Sequence, residues 1–119
     1  MTELAAVWGD LKALLVPYAK ELAVVVNSDE ALYLNTHHRQ KNGKPLFFGA
    51  VEMKKNYVSF HLMPIYVRPE LLDGISPELQ VRMQGKSCFN FKTVDKPLFR
   101  ELARLTKAGF ASYKSQGFV

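Results

Sequence analysis

Residues 54–63 read KKNYVSFHLM, and residues 85–92 read GKSCFNFK. Side chains of an extended chain alternate between two faces, so each stretch predicts a strand with one apolar side and one mixed side. Val58, Phe60 and Leu62 form the apolar side of the first strand, and Phe89 and Phe91 that of the second. A sheet face that packs on helices is normally apolar, and a fully solvated face is normally charged. The mixed side is neither, so these strands predict a sheet with helices on one face.

The rest of the chain predicts the other elements around these two strands. Apolar residues at steps of three and four predict a first helix, capped by Thr2 and ending near Leu15 before Pro17. A final helix begins after Asp95, and Gly109 marks a point where it can be interrupted. The elements between are predicted strands at 22–27, 31–36, 46–53 and 57–63, short helices at 70–73 and from Ser76 to Gly85, and a strand at 87–92.

This order of elements predicts the fold class. Adjacent strands joined by tight turns predict an antiparallel sheet, and helices at both chain ends predict a layer that covers it. Residues 1–119 are therefore predicted to form one α+β domain, a two-layer sandwich in which the N- and C-terminal helices pack on an antiparallel five-stranded sheet. Its element order is α-β-β-β-β-(short α)-β-α.

Net charge, cysteine count and hydropathy limit the kinds of partner and the cellular location that the sequence predicts. The net charge of +5 comes from 16 Lys and Arg residues and 11 Asp and Glu residues spread along the whole chain, which does not favour nucleic-acid binding. The lone cysteine, Cys88, excludes an internal disulfide and fits a reducing compartment. The sequence has no apolar run long enough to span a membrane and no signal-peptide pattern at its start, so we expect a cytoplasmic protein.

The mixed sides of the two strands are the predicted binding site. If both strands lie in one sheet without a bulge, one face gathers the following residues as candidate ligand contacts: Tyr57, Ser59, His61, Lys86, Cys88 and Asn90. One interpretation is a shallow surface for a small ligand or a protein partner, and another is an outer face that only meets solvent. The same face would also serve as a homodimer interface.

The residues with reactive side chains do not form a recognisable catalytic site. Cys88 beside His61 would act as a nucleophile only if a nearby base or cation stabilised its thiolate. The Gly85-Lys86-Ser87 run lacks the upstream glycine of a phosphate-binding loop, because Gln80 stands there. No residue is therefore assigned a catalytic role, and the sequence favours a non-enzymatic binding domain.

His37 and His38 suggest a metal site. Adjacent side chains point in opposite directions on a strand, and in a loop they need a third ligand to hold an ion. Asp29, Glu30 and His61 are the candidates for a third ligand, none of them at a recognised spacing. The metal hypothesis therefore rests on His37, His38 and His61, against the alternative of a solvated loop.

Several short motifs resemble a known family. The segment 42–46 (NGKPL), the segment 55–61 (KNYVSFH) and the Gly85-Lys86-Ser87 run before Phe89-Asn90-Phe91 are similar to those of the YdhG-like family of small bacterial domains. The resemblance extends over residues 31–110. It implies a frataxin-like α+β sandwich and, because some members are described as iron chaperones, iron as a possible cargo. Intracellular iron or metal delivery is thus the alternative function.

Overall fold

The structure is a computed structural model that describes residues 3–119. The first half contains helix α1 (Glu3–Leu15), a 3-10 helix (Val16–Glu21) and strands β1 (Ala23–Asn27), β2 (Ala31–Arg39), β3 (Pro45–Met53) and β4 (Val58–Leu62). The second half contains α2 (Met63–Val67), a 3-10 helix (Pro69–Leu72), α3 (Pro77–Val81), β5 (Cys88–Phe91) and α4 (Lys96–Ser115). Thr2, the predicted cap of α1, lies outside the described residues.

The predicted fold class is confirmed. The five strands form one antiparallel sheet in the order β1-β2-β3-β4-β5. Helices α1 and α4 pack on one face of it, where Phe48 of β3 meets Phe110 of α4 and Phe91 of β5 meets Phe99 of α4 edge-on. Burying large aromatic side chains is a major source of stability in a domain of this size. The core therefore lies between the sheet and the two terminal helices.

Strands β4 and β5 alternate as predicted. Val58, Phe60 and Leu62 are fully buried, and Phe89 and Phe91 are at most 2% exposed. The pairing of β4 with β5 runs without a register shift from Val58 opposite Phe91 to His61 opposite Cys88. Because no bulge intervenes in this pair, the side chains between the apolar ones all point to the face away from the helices.

Strand β2 is longer than predicted. It continues to Arg39, so His37 and His38 lie in a strand and the expectation of a loop from residue 37 is wrong. The register against β3 shifts between Asn35 and Arg39. There the Thr36 hydroxyl donates to the Leu46 carbonyl at 2.9 Å and accepts from the His38 amide at 3.2 Å. This side chain replaces ladder hydrogen bonds at the irregularity, which is how the strand extends through it.

Helix α2 is absent from the sequence prediction, and Gly109 does not interrupt α4. Pro64 lies in the first turn of α2, where a helix tolerates proline. Gly109 is buried inside the continuous helix α4 and faces Pro64. The glycine therefore serves close packing of α4 against α2, and a helix break is not needed there.

The two helices predicted to begin at Ser76 and after Asp95 are capped by these residues, and one helix end is corrected. The Ser76 hydroxyl accepts from the Leu79 amide at 3.1 Å, and an Asp95 carboxylate oxygen accepts from the Leu98 amide at 3.2 Å. Helix α3 ends at Val81, earlier than the predicted end at Gly85. Gly85 has a φ of 82° and instead lies in the turn that leads into β5.

The segment before that turn pairs with the outer edge of β5. The Asn90 amide donates to the Arg82 carbonyl at 2.9 Å, and the Gln84 amide donates to the Cys88 carbonyl at 2.8 Å. Met83 bridges to Phe89 between these two hydrogen bonds. The β5 edge is thereby covered by residues 82–84, which are held at a fixed position beside the sheet.

Candidate functional site

Five of the six predicted contact residues lie together on the face away from the helices. Ser59 pairs directly with Asn90, and His61 pairs directly with Cys88. Tyr57 comes immediately before β4, two residues from Ser59 and on the same side by alternation. We call Tyr57, Ser59, His61, Cys88 and Asn90 the polar patch.

A short hydrogen-bonded chain runs across the polar patch. The Cys88 sulfur lies 3.4 Å from Nε2 of His61, and it donates to Oδ1 of Asn90 at 3.6 Å. A thiol carries one hydrogen, so a thiol that donates to Asn90 accepts from His61, whose Nε2 then carries the proton. The three side chains thus form a chain in which Asn90 Oδ1 accepts one hydrogen bond and the Asn90 Nδ2 hydrogens remain as donors.

Burial keeps the Cys88 thiol and the His61 imidazole uncharged. Desolvation lowers the pKa of His61 below its usual 6.5, with Glu52 acting in the opposite direction and Lys54 in the same one. Desolvation and then Glu52 raise the pKa of Cys88 above its usual 9.0, while Lys54 lowers it. A thiol and an imidazole in these states are neutral near pH 7. The pair therefore lacks the stabilised thiolate that nucleophilic catalysis requires.

Ser59 is the most buried member of the polar patch. Its side chain is only 2% exposed, and its hydroxyl has no hydrogen-bond partner among the residues that the structure describes. Glu52 and Asn90 stand directly across from it on β3 and β5, and Tyr57 and His61 lie two residues away on either side along the chain. The sequence places Ser59 on the correct face, but it does not predict this burial.

The sixth predicted contact residue, Lys86, has an aromatic partner on another element. It lies in the turn before β5, and its ammonium group sits 5.8 Å from the centre of the Tyr66 ring on α2. Such an ammonium–ring contact gives the lysine a partner on a different element. The charges that shift the pKa values of His61 and Cys88 are those of Glu52 and Lys54.

Glu52 and Lys54 are the residues that the sequence prediction missed. Their side chains form an ion pair of 3.7 Å at the end of β3. The available signal was the alternation of β3, in which Glu52 follows buried Val51 and pairs with Ser59. Applying the same period of two to β3 as to β4 would have placed Glu52 on the polar face.

The three histidines proposed as metal ligands do not come together. His37 is exposed, whereas the His38 ring packs on Phe118 with ring centres 4.6 Å apart. His61 lies on β4, and β3 separates that strand from β2. Within residues 3–119 no group of three or more His, Cys, Asp or Glu side chains is arranged to hold a metal ion. Adjacent strand residues diverge, which is why His37 and His38 cannot chelate as a pair.

A small cleft opens at the border of the polar patch. It has a volume of 270 Å³ and lies between the sheet and the covered edge of β5. We call it the edge cleft; its lining residues are Tyr57, Asn90 and Lys92 from the sheet side and Val81, Arg82, Met83 and Gln84 from the segment beside β5. Tyr57 and Asn90 thus belong to both the polar patch and the cleft.

Other hollows lack these features. A depression of 530 Å³ lies by the β2–β3 hairpin, against Leu46, Val67 and Phe118, and one of 280 Å³ lies between α1 and α4. Neither is lined by any member of the polar patch. The edge cleft differs from both because it is lined by Tyr57 and Asn90, two members of the polar patch.

Comparison of the chain with protein-family models, with curated proteins and with solved structures gives no match. Among residues 3–119, no helix is both long enough and apolar enough to cross a membrane.

Proposed function

We propose that this protein is a non-enzymatic binding domain that takes a small ligand at the polar patch. The observation that carries the proposal is the Ser59 hydroxyl, which is buried and unpartnered within the described chain beside a hydrogen-bonded Cys88–His61 pair. A buried polar atom without a partner costs about 1–3 kcal/mol. Such atoms are few in native proteins, and a functional site is one reason for them.

The position of the edge cleft next to the neighbours of Ser59 supports the proposal. Tyr57 and Asn90 are the neighbours of Ser59 on the sheet face, and both also line the edge cleft. Rotation of either side chain would connect the Ser59 hydroxyl to the cleft. A ligand lodged there would complete the hydrogen bonding of Ser59 and contact His61 and Cys88 from the side.

The electrostatics favour binding over catalysis. With the pKa of Cys88 raised and that of His61 lowered, the pair offers neutral hydrogen-bonding groups near pH 7. Neutral groups fix the orientation of a ligand, whereas a nucleophile has to be activated. The polar patch therefore suits recognition of a small molecule.

A fragment screen by nuclear magnetic resonance tests this function. Backbone amide signals of isotope-labelled protein are followed as small-molecule fragments are added. We expect the shifts to cluster at Ser59, His61, Cys88 and Asn90, and to weaken in an Asn90→Ala variant. A cluster around Phe118 or between α1 and α4 instead would overturn the proposal.

Metal delivery is the alternative, proposed on the resemblance of residues 31–110 to the YdhG-like family. Its ligand set would need more than the Cys88–His61 pair, because a bound divalent ion takes four or more ligands. Calorimetric titration with Fe(II) and Zn(II) decides between the two functions. We expect no specific heat of binding; a micromolar site that is lost in His61→Ala would favour the alternative.

A further inference from the structure

The edge cleft carries positive charge and no negative charge. Arg82 stands on one wall and Lys92 on the other, and none of the seven lining residues is acidic. In the described part of the chain the one ion pair joins Lys54 to Glu52, so neither cation of the cleft is neutralised by a carboxylate. Two unneutralised cations facing a shared hollow raise the local concentration of anions.

Asn90, which also lines the edge cleft, contributes a neutral hydrogen-bond donor. Oδ1 of Asn90 accepts from the Cys88 thiol, which leaves the Nδ2 group of Asn90 free to donate. Guanidinium and ammonium groups are donors with no acceptor capacity. The polar groups contributed by Arg82, Lys92 and Asn90 therefore all require a ligand that accepts hydrogen bonds.

The walls that hold these donors are fixed before any ligand arrives. The Arg82 carbonyl accepts from the Asn90 amide, and the next hydrogen bond joins Gln84 to Cys88. These bonds hold the two walls at the spacing of neighbouring strands. Donors set on a rigid frame lose less entropy on binding than donors on a mobile loop.

The volume limits the ligand to a small one. At 270 Å³ the cleft lies just below the usual range of small-molecule sites, about 300–1,000 Å³. It has room for one oxyanion group and a small body attached to it. A nucleotide or a peptide would extend well outside it.

We propose that the edge cleft binds a small organic oxyanion, a carboxylate or a phosphate monoester, with Arg82 and Lys92 as its charge partners and the Asn90 amide as its orienting donor. This inference rests on the proposed binding function and names the ligand class of the same site. Charge-assisted hydrogen bonds to an oxyanion are roughly twice as strong as neutral ones. Arginine in particular matches the geometry of two oxygens on one carboxylate or phosphate.

Three aromatic probes of similar size test the ligand class. Phenyl phosphate, benzoate and neutral benzamide are titrated into isotope-labelled protein, and the amide signals of Arg82, Asn90 and Lys92 are followed. We expect both anions to move these signals and benzamide to move them at least tenfold less at equal concentration. The anion that binds more tightly identifies the headgroup, carboxylate or phosphate. Raising the salt concentration from about 50 mM to about 200 mM should weaken the binding of both anions.

Charge-removing variants locate the site. Arg82→Gln and Lys92→Gln should each weaken the binding of the anions by about tenfold, which corresponds to the loss of one charged hydrogen bond. Lys107→Gln on the exposed side of α4 removes the same charge elsewhere and should leave binding unchanged. An equal loss in Lys107→Gln would mean a diffuse response to net charge and would overturn the inference.

The outcomes separate this inference from the function on which it rests. If benzamide binds as well as benzoate, the oxyanion class is wrong while the binding function stands. If none of the three probes moves the cleft signals but fragments still shift His61 and Cys88, the inference is also overturned and the function stands. If neither the probes nor the fragments shift amide signals on this face, the oxyanion inference and the proposed binding function are both contradicted.

Discussion

Gly109 of α4 lies directly against Pro64 of α2. A Cβ atom built on Gly109 would stand 2.9 Å from Cβ and 3.1 Å from Cγ of the proline ring. A contact of 2.9 Å is essentially never seen for real Cβ atoms, and the proline ring is too rigid to move aside by a bond rotation. The approach of the two helices therefore depends on the absence of a side chain at position 109.

Gly109→Ala is expected to destabilise the protein. Alanine favours a helix interior over glycine by about 0.5–1 kcal/mol, but overpacking a buried contact costs about 1–3 kcal/mol, so the clash outweighs the gain. The free energy of unfolding, measured by urea denaturation, should fall by about 1 kcal/mol. Gly9→Ala is the matched control: Gly9 lies in α1 with open space around it, and its replacement should raise that free energy by about 0.5–1 kcal/mol.

His61 should make stability depend on pH below neutrality. Its pKa is lower in the folded protein than the usual 6.5, so near that pH the unfolded chain binds more protons. The stabilisation is full above the unfolded pKa and is lost as the pH falls through the folded pKa. Urea denaturation between about pH 7.5 and about pH 5.5 should show a decrease that is smaller in His61→Gln. The same decrease in both proteins would assign it to other groups.

Cys88 should react slowly with alkylating reagents. Its raised pKa leaves little thiolate at neutral pH, and the thiolate is the reactive form. We expect iodoacetamide to modify the folded protein more slowly than the urea-unfolded chain. The pH at which the alkylation rate reaches half its maximum should also be higher for the folded protein. His61→Ala should not slow the reaction further. Rapid alkylation at pH 7 that requires His61 would indicate an activated nucleophile, and an enzyme.

Local alternation was enough to predict strands β4 and β5 and their faces. Val58, Phe60 and Leu62 repeat every second residue, and this period alone identifies the side that is buried. The length of β2 was not predictable in this way, because it depends on a Thr36 side chain that bonds to the neighbouring strand. The packing role of Gly109 depends likewise on a residue 45 positions earlier, Pro64.

The candidate site was predictable only in part for a related reason. The sequence places Ser59, His61, Cys88 and Asn90 on one face, since each lies on a strand with a clear period. Lys86 lies in a turn, where alternation gives no direction, and its contact is with Tyr66. Arg82 precedes the last strand outside any regular element, so its place in the edge cleft follows from tertiary pairing.

Two buried hydroxyls provide the last test, because one has partners and the other has none within residues 3–119. Thr36 is 1% exposed and makes two hydrogen bonds, whereas Ser59 is 2% exposed and its hydroxyl makes none. Thr36→Val should lower the free energy of unfolding by about 1–3 kcal/mol, since it leaves a buried carbonyl and amide unpaired. Ser59→Ala removes an unsatisfied group and should raise it by about 0.5–1 kcal/mol. A loss above about 1 kcal/mol in Ser59→Ala would show that the hydroxyl is already satisfied, and it would remove the observation on which the proposed binding function rests.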